Sequence, residues 1–229
     1  MALSLFNLIT TLQQSHGAND AQTVFDVGAN KGQSYKDFRL ALPSARIFCF
    51  EPAPETFKTL EETVNNDPLA TTHCFALAAQ SATLAFTTGL DSGNRIVEKD
   101  VSSLQNTIEV EAIRGDDFCR QNQIERVDFI KIDTEGHDLD VLVGFSELLR
   151  EKRILAIQVE CGTSLDNRFH VHLERFIHFL HPYNYRLHSI VDPVRKIHKT
   201  RQKLHGIWYC NAIFVLEVES PRLRKDGTN

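Results

Sequence analysis

An α/β fold, built on a mostly parallel seven-stranded sheet with helices on both faces, is what the amino-acid sequence predicts. Three observations predict it. From Thr23 onward, short apolar runs alternate with stretches of helical periodicity, the pattern of a parallel sheet covered by its crossover helices. The first run closes on a glycine-bearing turn, Gly28 to Gly32, and the second on Glu51-Pro52, and each is followed by a helical pattern. No repeat, low-complexity tract or linker-like stretch divides the 229 residues, a length that buries one large core.

Thr23–Val27 reads as the first strand, and Ser34–Leu42 as a helix ended by Pro43. Ala45–Phe50 is the second strand, followed by a helix over Pro54–Asn65 with Phe57, Leu60 and Val64 at helical spacing. Thr71–Ala79 is the third strand. Thr83–Thr88 alternates and forms an added strand or hairpin, turning at Asp91-Ser92-Gly93-Asn94. A short helix over Asp116–Gln123 precedes the fourth strand, Val127–Ile132; a helix over Leu139–Glu151 precedes the fifth, Ile154–Val159. The helix Arg168–Leu180 is expected to turn Phe169, Leu173, Phe176, Ile177 and Leu180 inward. Arg186–Val191 and Ile207–Val218 are the last strands. No helix separates them, so one is expected to run antiparallel at the edge. The expectation is one domain over 1–229, with 1–20 as a helical extension and 219–229 as a flexible tail.

A hydrophobic content of 42% and a charged content of 24% are those of an ordinary globular protein. The net charge of −5 argues against a general nucleic-acid binder. The five cysteines, Cys49, Cys74, Cys119, Cys161 and Cys210, are scattered, odd in number and free of any CxxC pair. That usage argues against a disulfide framework or zinc ribbon and for reduced thiols in a cytoplasmic protein. The stretch Met1–Leu12 lacks a basic leader and a small-residue cleavage site, and its Leu5, Leu8, Ile9 and Leu12 share one helical face. No run approaches the ~20 apolar residues of a membrane span.

The chemistry gathers at strand ends. In an open α/β sheet, ligands bind beyond the carboxyl ends of the strands, where the strand order reverses. Gly28 lets the chain turn sharply after the first strand, and Gly32 lets the next helix begin close to a ligand. The Gly28-Ala29-Asn30-Lys31-Gly32 spacing does not match the GxGxxG cradle of a dinucleotide pyrophosphate. Glu51, about twenty residues on, ends the second strand, where a carboxylate accepts both hydroxyl protons of a ribose. Together the turn and the acid indicate an adenosine-containing ligand.

These residues resemble the FkbM-type methyltransferases. Val24 to Gly32, Phe50 to Pro54, Gly115 to Phe118 and Asp128 to Asp138 match that family's pattern in order, with a fainter echo at Asn211–Val215. Gly115 stands where the family prefers leucine, and Asp138 where it prefers glutamate. The resemblance implies a Rossmann-like class I methyltransferase fold, S-adenosylmethionine as methyl donor, and a hydroxyl acceptor on a saccharide or small metabolite. It also implies that Asp26, Gly28, Asn30 and Gly32 line the methionine side of the donor, that Glu51 holds the ribose, and that Ala79 lies near the adenine.

Methyl transfer to an alcohol needs the acceptor aligned and its proton removed. Asp133, Glu135 and His137, delivered by the fourth strand, are the candidate catalytic groups. Two of them have a structural alternative, His137 as the residue that opens the next helix and Asp133 as its cap. Asp133 and Glu160 make a conceivable Mg²⁺ pair. No HExxH or Cys/His constellation is present, so no metal is expected and activity should survive chelation. His170, His172 and His178 read as the solvated flank of their helix. The basic run Arg195 to Lys203 reads as a loop, or as a positive lip that draws an anionic acceptor. The alternatives are N-methylation of a small molecule, or a nucleotide-dependent Rossmann oxidoreductase. No amino-methylase Pro-Pro-Tyr/Phe motif follows the fourth strand, and the GxGxxG cradle is absent.

Overall fold

The computed structural model of this chain describes residues 22–87, 95–96, 107–195 and 206–217. The expected N-terminal helix, the turn at 91–94, the basic run beyond Arg195 and the tail at 219–229 lie outside the described residues.

β1 (Thr23–Val27), β2 (Arg46–Phe50) and β3 (Ala70–His73) pair in parallel, as do β1 and β8 (Val127–Ile132) and then β8 and β9 (Ile154–Gly162). With β10 (Tyr185–Arg195) and β11 (Ile207–Leu216) the order is β10-β11-β9-β8-β1-β2-β3. The antiparallel strand is β11, and it lies inside the sheet between β9 and β10 rather than at the edge. All five residues of β1 are buried, as a central strand covered on both faces requires. Phe25 of β1 sits 5.2 Å from the Phe48 ring and 5.3 Å from the Phe50 ring of β2.

α1 (Gln33–Ala41) follows β1, and α2 (Pro54–Val64), opened by a proline, follows β2. The third strand of the sequence reading splits at Cys74-Phe75. Its first half is β3, and its second half, β4 (Ala76–Ala78), enters another sheet ordered β4-β7-β5-β6. There β5 (Ala82–Thr87) pairs with β6 (Arg95–Ile96) and β7 (Thr107–Arg114), so the added hairpin is present. β7 escaped the sequence reading, although Val110 and Ala112 are buried while Glu109 and Glu111 face water, a strict strand alternation.

α3 (Gly115–Gln121) precedes β8, and the helix expected over 139–151 breaks at Phe145 into α4 (Asp138–Gly144) and α5 (Ser146–Arg150). The buried Asp116 carboxylate accepts the backbone N–H groups of Glu147 and Leu148 at 2.9 and 3.1 Å, capping α5 from a distance in sequence. Gly115 leaves room for Phe145: a Cβ there would lie 2.5 Å from its ring. That contact accounts for glycine at this position.

The last helix, α6 (Leu173–Leu180), starts five residues later than expected. Asn167 is the reason. Its buried side-chain oxygen accepts the N–H groups of Phe169 and His170 at 3.0 and 3.2 Å, a local bond that competes with a helix. Phe176 and Leu180 do turn inward, whereas Phe169 and Ile177 are exposed.

Candidate active site

The chain lays β2 and β3 on one side of β1 and then crosses to place β8 on the other. The crevice of the sheet therefore opens above the carboxyl ends of β1 and β8. A cleft of about 290 Å³ occupies it, with Gly28, Asn30, Glu51, Lys131, Asp133 and Glu135 among its lining residues.

One wall of the cleft is mostly backbone. Gly28 has φ +79°, and a Cβ there would come 1.9 Å from the Asp133 carbonyl oxygen, so only glycine closes this turn. The N–H groups of Gly28 and Ala29 both donate to the Phe50 carbonyl, at 3.0 and 2.9 Å. Glu51 ties the second half together: one carboxylate oxygen accepts the Asn30 N–H at 3.1 Å and the other the Ala53 N–H at 2.9 Å. Each oxygen keeps a further lone pair for a hydroxyl donor. Burial raises the Glu51 pKa, against the two N–H bonds.

Asp26 does not line the cleft but lies fully buried beneath its floor, its oxygens without a well-formed hydrogen bond. Burial, opposed by Lys131 and reinforced by Asp133, pushes its pKa up to about 6. Gly32 stands behind the cleft, where a Cβ would meet Thr63 at 2.8 Å. Ala79 lies just past β4, whose Ala76 and Leu77 form the wall instead. Phe86 of β5 and Thr56 of α2 complete the lining.

The opposite wall is dense in charge. The Asp133 N–H donates to the Val27 carbonyl at 3.0 Å, splicing the end of β8 to β1. Lys131 of β8 sends its ammonium to Asp133 at 2.9 Å. Burial works against that charge, but Asp133 and Asp26 outweigh it and hold the Lys131 pKa above its ordinary value. Asp138 is buried at the start of α4. It accepts the Thr134 hydroxyl at 2.9 Å, the Thr134 N–H at 3.3 Å and the Glu160 N–H at 3.3 Å, so one carboxylate joins the ends of β8 and β9. Burial first, and then Asp133, push its pKa up to about 7.

Of the three candidate catalytic groups, Asp133 and Glu135 line the cleft. His137 is the N-cap residue of α4 and sets its Nδ1 3.5 Å from Asp140 in the first turn of that helix.

A histidine that reads in the sequence as a solvated flank turns out to be largely buried. His170 Nε2 lies 2.9 Å from a Glu160 carboxylate oxygen, and its ring stacks on Tyr209 with centroids 4.6 Å apart. Burial works against the imidazolium, but Glu160 overrides it and raises the His170 pKa. Its neighbours in sequence gave no sign of this pair.

Comparison with known proteins agrees with the geometry. Residues 26–187 match the methyltransferase FkbM domain model. The chain is 25% identical to a hexuronic acid methyltransferase, AglP, of Haloferax volcanii, over 63% of this chain and 59% of that protein. It is 28% identical to the 2-O-methyltransferase NoeI of Sinorhizobium fredii, over 58% of this chain and 60% of that protein. It thus spans about three fifths of the length of these curated relatives. Among solved structures, precorrin-6y C5,15-methyltransferase from Geobacter metallireducens is 14% identical, with a TM-score of 0.47 over 93% of this chain and 88% of that one. A Rossmann-like sheet in the class I methyltransferase order and the family motifs at its crevice agree with the match over 26–187: the chain belongs to the FkbM methyltransferase domain family.

Proposed function

We propose that this chain is an S-adenosylmethionine-dependent methyltransferase that methylates a hydroxyl group of a saccharide or small metabolite. The observation that carries the reading is the pairing of two unlike walls in one cleft, a glycine-and-amide turn closed by Glu51 facing the carboxylates Asp133 and Glu135. The donor fits the first wall on this chain's own terms. Any side chain at position 28 would collide with Asp133, and Glu51 offers its remaining lone pairs to a ribose diol.

When bound, the donor supplies a methyl group already activated on a sulfonium. Transfer breaks the sulfur–carbon bond, forms an oxygen–carbon bond and releases one proton from the acceptor. The residues orient the acceptor, exclude water and take that proton. Asp133 and Glu135 line the cleft, where a carboxylate takes that proton, and both offset the positive charge of the donor before transfer. The names of the relatives support a sugar-type hydroxyl, and a hexuronic acid would bring a carboxylate of its own. The basic run from Arg195 suits such an anionic acceptor. We place no nucleic acid among the partners and expect no membrane span; among the described residues no helix is long and apolar enough to cross a membrane.

The test is transfer of label from radiolabelled S-adenosylmethionine to glycan fractions containing and lacking uronic acids, with the product identified by mass spectrometry. The reading expects O-methyl product and matching release of S-adenosylhomocysteine. Label found only on nitrogen, or only on RNA, would overturn it.

A further inference from the structure

Glu135, Glu160 and His170 come from three separate elements: the loop after β8, the end of β9 and the 163–172 loop. Their ligand atoms nevertheless lie within 4.8 Å of one another. Two features set this group apart from an ordinary ion pair. The first is the commitment of both ring nitrogens of His170. Nε2 faces Glu160, and Nδ1 lies 2.9 Å from the amide nitrogen and 3.2 Å from the amide oxygen of Asn167. A ring held this way presents no nitrogen to an acceptor hydroxyl, so it is poorly placed as a base. It is well placed as a ligand. If a cation replaces the Nε2 proton, which leaves to solvent, the ring keeps its proton on Nδ1 and donates it to the Asn167 oxygen 3.2 Å away, after a small turn off the amide nitrogen at 2.9 Å. That is the outer-shell arrangement of metal-bound histidines. Asn167 is itself immobilised, 1% exposed, with its amide nitrogen donating to the Trp208 carbonyl at 3.1 Å.

The second feature is the charge balance. Three carboxylates, Asp133, Glu135 and Glu160, crowd the ends of β8 and β9 beside the buried Asp138, and among the described residues Lys131 and His170 are the cations set among them. Like charges this close are costly unless a positive charge is added.

We propose that Glu135, Glu160 and His170 bind one divalent transition-metal cation at the acceptor end of the cleft, where its open coordination positions take the acceptor hydroxyl. One imidazole with two carboxylates suits Mn²⁺, Fe²⁺, Co²⁺ or Zn²⁺, whereas Mg²⁺ and Ca²⁺ prefer all-oxygen shells. Glu135 belongs to both the cleft lining and this group, which sets the cation beside the transfer site. The use of the cation rests on the methyltransferase reading; its binding does not. The three ligands stand 25 and 10 residues apart, a spacing that carries no metal-site signature in the sequence.

The experiment is titration of MnCl₂ into the full chain, followed by calorimetry and by electron paramagnetic resonance. One Mn²⁺ should bind per chain, and pulsed resonance on the wild-type protein should show ¹⁴N coupling from one imidazole. H170Q and E160Q should each weaken binding by about tenfold or more, while S-adenosylhomocysteine affinity stays unchanged. E135Q should weaken it less. Absence of Mn²⁺ binding at millimolar concentration, absence of imidazole coupling, or binding that survives both H170Q and E160Q would overturn the site. The two readings fail separately. Mn²⁺ binding of the expected kind without methyl transfer to any acceptor removes the function and keeps the site; transfer that survives chelation in a chain that binds no Mn²⁺ does the reverse.

Discussion

The two walls of the cleft are made in different ways. The donor wall is held chiefly by one stretch of chain from Thr23 to Pro54, through its backbone: a positive-φ glycine, two amides on the Phe50 carbonyl, and Glu51 bridging two more, with Thr56, Ala76, Leu77 and Phe86 packed beside it. The acceptor wall is assembled from β8, β9, the 163–172 loop and β11, and is held by charged side chains. A wall of backbone tolerates little change and specifies one ligand. A wall of side chains on scattered elements can be re-cut for new acceptors while the fold stays the same.

The contrast is open to direct attack. The largest effect is expected at Gly28. Gly28→Ala forces a Cβ into the Asp133 carbonyl at a left-handed φ, and should destabilise the chain by at least about 3 kcal/mol, roughly 6–12 °C in Tm. Loss of S-adenosylhomocysteine binding should accompany it. A variant with wild-type Tm and affinity would show that the backbone of the donor wall is not constrained as described.

Asp138 is the matching test of the acceptor wall. Asp138→Ala leaves the Thr134 hydroxyl, Thr134 N–H and Glu160 N–H without an acceptor, at a cost of about 2–4 kcal/mol. The same residue predicts a pH dependence. The pKa values of Asp26 and Asp138 stand near 6 and 7 in the folded chain, above the ~3.9 of an unfolded aspartate. Between about pH 4 and 7 the folded state therefore holds more protons than the unfolded one, and stability falls as pH rises across that window. Scanning fluorimetry from pH 5 to 8 should show Tm falling and then levelling, and Asp138→Asn should flatten the fall. A Tm that climbs with pH would contradict the buried-carboxylate account.

The smallest effect belongs to His137. Its ring is engaged with Asp140 on α4. His137→Ala should therefore change kcat less than about threefold, where loss of a general base costs about 10²–10⁴-fold. A loss on that larger scale would return His137 to the centre of the chemistry.

The same contrast explains what could be read in advance. Gly28, Asn30, Glu51 and the strands around them were legible because motif, turn and strand end lie within thirty residues of one another. His170 was not. Arg168–Leu180 has helical periodicity, and only the three-dimensional course of the chain shows Asn167 drawing the N–H groups of Phe169 and His170 out of a helix. β7 was missed for a different reason. Its alternation, Ile108 and Val110 against Glu109 and Glu111, is present in the sequence, but its antiparallel partner β5 lies about twenty-five residues earlier, across a stretch with no alternation of its own. The split of 71–79 between two sheets had no local signature at all, since both halves favour strand and only their partners differ.

Calorimetry of S-adenosylhomocysteine and of NAD binding to the wild type and Glu51→Ala tests the account most directly. The account predicts that S-adenosylhomocysteine binds and NAD does not. Glu51→Ala should weaken the first by about 1–3 kcal/mol, the range for hydrogen bonds to a charged partner. Tighter binding of NAD, or an affinity for S-adenosylhomocysteine that Glu51→Ala leaves intact, would contradict it.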